Sequence, residues 1–200
     1  MTRQSLRLSD NDVITFLLNA YFGPVEDPVF TSANAAYLDL CRTIEFKTEP
    51  GVGEEIRGLL RQKVIQRIKE DIAVLQKNKG MTQGVYDCWH NRLCRWIVTE
   101  YETSHISFHY GQAQKWVNMT MKYLSVINRE VTNDYFEFLH VPIDSIVFEL
   151  AADELNVDAP NCRWSRMEEQ DYLDYQTHLR NTILRDKGIA PLLWEFRNWE

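Results

Sequence analysis

Two hundred residues, 44% hydrophobic and 26% charged, supply enough apolar material for one good-sized core and match an ordinary soluble composition. A net charge of −7 excludes the simplest nucleic-acid binder, a uniformly basic domain that releases counterions from phosphate. No apolar run is long enough to span a bilayer, and residues 1–10 lack the apolar core of a signal peptide, so a cytoplasmic chain with no membrane partner is expected.

The first helix is predicted through Val13 to Tyr21, with caps offered by Ser9, Asp10, Asn11 and Asp12 and an end at Gly23-Pro24. Asp27-Pro28 reads as a turn, and Thr31-Ser32 as the cap of a second helix that turns Ala36, Leu38, Leu40 and Ile44 inward. Glu49 to Gly53 carries two glycines but no Gly-Lys-Ser/Thr, so it reads as a plain loop and not a phosphate loop. Glu54 to Gln76 has apolar residues at helical spacing (Ile56, Leu59, Leu60, Val64, Ile68, Ile72, Leu75) and a basic opposite face. A fourth helix follows from Val85 to Glu100, with Trp89, Leu93, Trp96 and Ile97 as its apolar stripe.

Ser104 to Tyr110 reads as extended, and Gln112 to Asn128 as a helix on which Trp116, Met119, Tyr123, Val126 and Ile127 share a side. After a polar connection and a local apolar cluster at 135–139, Val141-Pro142 leads into a helix from Asp144 or Ser145 to Leu155. Ser165 and Glu168 form a capping-box pattern for a helix to about Arg185, with Met167, Tyr172, Tyr175, His178, Leu179 and Ile183 as its apolar set. Gly188 stops it, and Pro191 starts a last aromatic helix. The expected fold is all-α, a compact bundle of about seven or eight helices, in one domain or in two lobes sharing a cleft near 105–150.

Charge is segregated. Residues 57–79 hold seven bases, among them Lys63, Arg67 and Lys77, whereas residues 134–158 hold seven acids and no base. The basic face is the candidate phosphate-binding surface. Cys41, Cys88, Cys94 and Cys162 have no zinc or disulfide spacing, and His105 and His109 lack a His-Glu-x-x-His context, so neither metal nor cofactor is expected. A Cys–His nucleophile among Cys88, Cys94, His90 and His109 has no strained nucleophile motif to mark it.

The chemistry-bearing stretch is 111–157. Lys115, placed in the first turn of its predicted helix, would have its pKa lowered by the helix dipole, and Lys122 follows seven residues later on the same face. Asp144 sits at the mouth of the next helix, where a carboxylate is favoured and can act as a simple cap.

Gly111-Gln-Ala-Gln-Lys115 and Val141-Pro142-Ile143-Asp144 together resemble the DNA glycosylases of the helix-hairpin-helix superfamily, nearest the divergent archaeal 8-oxoguanine branch, over about 45 residues. The resemblance implies a mostly helical fold and a base-excision glycosylase/lyase acting on damaged DNA. Lys115 would be the amine that attacks C1′ and Asp144 the stabilising acid. Gly111, Gln112, Gln114, Trp116 and Lys122 would form the nucleotide site, with Tyr110, Trp89 and Tyr86 as further stacking platforms. The alternative is a non-enzymatic helical interaction protein that binds a basic protein partner, mimics nucleic acid, or self-associates.

Overall fold

A computed structural model describes residues 7–46 and 52–199. Among them there is no strand, and nine α-helices form: α1 Asp10–Phe22, α2 Pro28–Leu40, α3 Val52–Leu75, α4 Gln83–Thr103, α5 Tyr110–Ile127, α6 Arg129–Thr132, α7 Ser145–Leu155, α8 Glu169–Lys187 and α9 Pro191–Arg197. The all-α expectation holds, and the added helix, α6, is a single turn inside the polar connection. No helix among the described residues is long and apolar enough to cross a membrane. The loop expected at 49–53 lies mostly outside the described residues, and Gly53 belongs to α3.

α5 is the axis of the fold. Every residue from Tyr110 to Ser125 is buried, because α2, α4, α8 and the 3₁₀ turn Trp164–Arg166 pack around it. α2 approaches closest, as Ala33 and Ala36 have no bulk to hold it away, and the Trp116 indole N–H donates to the Ala33 carbonyl at 2.9 Å. α3 packs on α2 and α4, α7 on α8, and α9 on α8 and the 3₁₀ segment Asn133–Phe138. One apolar cluster runs through α2 to α5 and α7 to α9.

Several local expectations are corrected. Asp27, not Thr31-Ser32, caps α2, accepting from the Phe30 N–H at 3.1 Å with Pro28 in the first turn. Leu38, Leu59, His178 and Val126 face solvent, because the buried faces of their helices are turned by their neighbours rather than by local period. Ser165 caps nothing. It lies in the 3₁₀ turn, and α8 starts after Glu168 with no side-chain cap. The Ser9 cap does hold, as a capping box with Asp12.

Candidate functional site

Buried helix α5 carries polar side chains that need partners, and Gln114, Lys115 and Asn118 find them on the extended segment 139–144. Gln114 donates to the Ile143 carbonyl (2.8 Å) and accepts from the Ile143 N–H (3.1 Å), as a neighbouring strand would. Asn118 donates to the Val141 carbonyl at 3.3 Å and to the Tyr172 hydroxyl at 2.9 Å. With its amide oriented to satisfy both, Gln176 brackets the Val141 N–H and C=O. A buried segment outside any helix must have its backbone paired, and side-chain amides do that here. Thr120 and Ser125 return their hydroxyls to the carbonyls four residues back.

That segment ends at Asp144, the N-cap of α7. Its Oδ1 accepts from the Val147 N–H at 2.9 Å, and its Oδ2 takes Lys115 Nζ at 2.5 Å. The pair, 29 residues apart in sequence, is nearly sealed, with side chains 5% and 12% exposed. Lys115 is not in the first turn, as the sequence suggests. α5 begins at Tyr110, which leaves Lys115 as its sixth residue, beyond the reach of the helix-end dipole. Its electrostatic partner is Asp144.

Lys122 forms a second buried pair, with Glu195 of α9 at 2.6 Å, and lies 3.6 Å from the Trp199 ring centre. Burial lowers the Lys122 pKa and raises that of Glu195, each opposed by the partner's charge. The second Glu195 oxygen has no hydrogen-bond partner among the described residues. Lys115 and Asp144 act electrostatically on both members, so the two pairs make one buried charge cluster.

The remaining sequence-predicted site residues are taken up by packing. Trp116 is fully buried against Tyr37. Gln112 donates to Thr43 and accepts from the His109 N–H. Gly111 gives its N–H to the Met167 carbonyl, and a Cβ there would lie 1.8 Å from the Trp164 carbonyl oxygen. Its role is close approach inside a helix, not a turn. Gly111→Ala gains helix propensity but must push backbone aside, so a net loss of about 1–3 kcal/mol is expected in urea denaturation. Stability at or above wild type would mean that turn 164–166 moves freely.

Of the basic face, Lys63 pairs with Glu100, and Arg67 pairs with Asp71 and stacks on Trp96. Lys77 is exposed in the turn after α3. The three therefore do not form one open cationic track.

Five clefts of 290–470 Å³ are lined by described residues, and neither Lys115 nor Asp144 lines any of them. In one, Ser107 Oγ lies 3.5 Å from His109 Nε2, but Arg166 already donates to that nitrogen at 2.8 Å, so its lone pair is occupied. Cys94 and His90 touch but are fully buried, with the thiol pKa raised and the imidazole pKa lowered by desolvation. Among the described residues no group of three or more potential ligands could hold a metal.

Sequence reasoning missed the chain Asn118–Tyr172–His140–Asp87, buried except at its half-buried Asp87 end. His140 bonds Tyr172 at 2.8 Å and Asp87 at 2.7 Å, and Arg180 reaches Asp87 at 3.1 Å. Its only signal was a histidine beside Val141-Pro142. Burial lowers the pKa of both His140 and His90 against the pull of Asp87. Burial also pushes the Asp87 carboxyl up, but bonds from His140, Gln83 and Arg180 outweigh it and hold Asp87 well below the usual range. The unfolded chain therefore binds protons that the fold refuses as pH falls below about 6.5, and stability is expected to drop from about pH 7 downward, through the lowered folded values of the two histidines. A second loss, from Asp87, should begin only below about pH 4. Denaturation across pH checks this, and His140→Gln should shrink both steps, because it also removes a bond that holds Asp87 down.

Fold and site together define an all-helical protein built around a buried lysine–carboxylate cluster. No family model, curated protein or solved structure matches the chain.

Proposed function

We propose that this chain is a DNA base-excision glycosylase/lyase in which Lys115 is the nucleophile and Asp144 its acid partner. The observation that carries this reading is the 2.5 Å contact between a lysine of α5 and the N-cap acid of α7, 29 residues apart. Burying two charges is costly even when they are paired.

The contact supplies the activation step. An ammonium cannot attack carbon, so a proton passes from Lys115 Nζ to Asp144 Oδ2, leaving a free amine and a neutral acid. The amine attacks C1′ of the damaged nucleotide. The C1′–N bond breaks, and the base leaves with the electron pair and takes the proton that Asp144 received, which restores the Asp144 carboxylate. Asp144 then relays a proton from the C1′-bound nitrogen to the ring oxygen, the C1′–O bond opens to give the Schiff base, and the carboxylate stabilises its positive charge. The nucleotide must displace whatever now seals the pair, and α9, which covers the adjoining Lys122–Glu195 pair, is the short element beside it.

The test is borohydride trapping on DNA carrying oxidised purines, uracil or abasic sites, since only a Schiff base is reduced to a stable link. Folded protein that neither cleaves nor traps across this panel sinks the reading and returns the chain to the interaction class.

A further inference from the structure

α1 has no buried residue. Leu8, just before it, and Val13, Ile14, Phe16, Leu17 and Tyr21 within it are exposed by 78, 44, 55, 68, 58 and 66%. From Asp12 onward only Asp12, Thr15 and Asn19 are polar and form one stripe, so apolar residues sweep roughly 240° of the helix at 3.6 residues per turn. The body of the protein uses a small part of that arc. Phe22 packs on Tyr123 with ring centres 5.3 Å apart, and the Tyr21 and Tyr123 hydroxyls meet at 3.1 Å. A helix apolar nearly all round is one covered on most sides, and a patch of this extent marks an interface.

We infer that a second copy of this chain covers it, α1 packing antiparallel on the partner's α1 across a two-fold axis. Charge selects this occupant. α1 carries Asp10 and Asp12 in its first turn and no base, which disfavours an anionic lipid surface or nucleic acid. Antiparallel pairing sets each acidic end beside the uncharged Asn19–Phe22 end of the other copy, whereas parallel pairing would crowd four carboxylates. Area agrees. Taking about 200 Å² for a whole large side chain, the six exposed residues offer on the order of 700 Å², close to the roughly 800 Å² per partner of a standard interface. A self-complementary patch is what a two-fold dimer requires.

Sedimentation equilibrium of the full chain tests this. The wild type is expected to dimerise at micromolar concentrations, and more tightly at high salt, because the two copies, each of charge −7, repel. Ile14→Glu/Leu17→Glu should raise the dissociation constant by about 100-fold or more. Both positions are exposed in the single chain, so helicity should not change. Phe16→Gln, which adds no charge, should weaken the dimer in the same direction if the double variant folds poorly. A wild type that stays monomeric at every concentration and salt overturns the inference and points to a different protein on α1. A dimer that survives both variants overturns it by placing the contact on another face.

Discussion

Lys115→Gln is expected to abolish borohydride trapping and to slow strand cleavage by about 1,000-fold or more, the scale on which loss of a nucleophile acts. The variant should still fold. Asp144 keeps its bond to the Val147 N–H, at a helix start where a carboxylate is favoured, so removing Lys115 does not strand an unsupported charge. Asp144→Asn should behave differently. Asparagine caps a helix about as well, so the α7 terminus survives. What is lost is the charge beside an ammonium that is 4% exposed and the acceptor for its proton. Cleavage should fall by about 100-fold with substrate binding largely kept, and stability should fall as well. Trapping that survives Lys115→Gln but disappears in Lys122→Gln would keep the reaction class and move the amine seven residues along α5.

Much of the fold was legible in the sequence because helices are written locally. Ser9 with Asp12, Gly188 and Pro191 all stand at the helix ends their chemistry predicts. Ser165 with Glu168 carries an equally good local signal and fails, because the chain there forms a 3₁₀ turn whose Trp164 carbonyl lies against Gly111. That contact joins residues more than fifty positions apart, and no local pattern records it. Lys115 and Asp144 could be named as a pair, but their meeting depends on Gln114, Asn118 and Gln176 pinning the segment that ends at Asp144. Gln114 read as a group able to recognise a base edge, since a buried amide and a ligand-binding amide look the same in one dimension. Its partners are the backbone of Ile143, the Gly111 carbonyl and the Asn118 amide.

The second large effect is expected at the other buried pair. Lys122→Met should cost about 3–5 kcal/mol, because it leaves Glu195, 1% exposed and already short of one hydrogen bond, as an uncompensated buried acid. The loss should depend on pH. Burial raises the Glu195 pKa, and without Lys122 only the Lys115 charge opposes that. The fold then holds a proton that the unfolded chain releases above about pH 4.3, so stability is fullest below that pH and falls as pH rises through the raised folded value. The variant should be nearer wild type at pH 5 than at pH 8. Lys122→Met/Glu195→Leu removes both charges and should recover most of the loss, since replacing a whole buried pair by apolar groups is often neutral or better. A double-mutant cycle in urea denaturation measures the coupling. Single variants as stable as wild type, or a double variant with no recovery, would show that the pair is not a coupled unit. The same double variant decides the role of Lys122. If it retains borohydride trapping through Lys115, Lys122 is the cation that anchors α9. If it folds and loses trapping, Lys122 or Glu195 belongs to the reacting site.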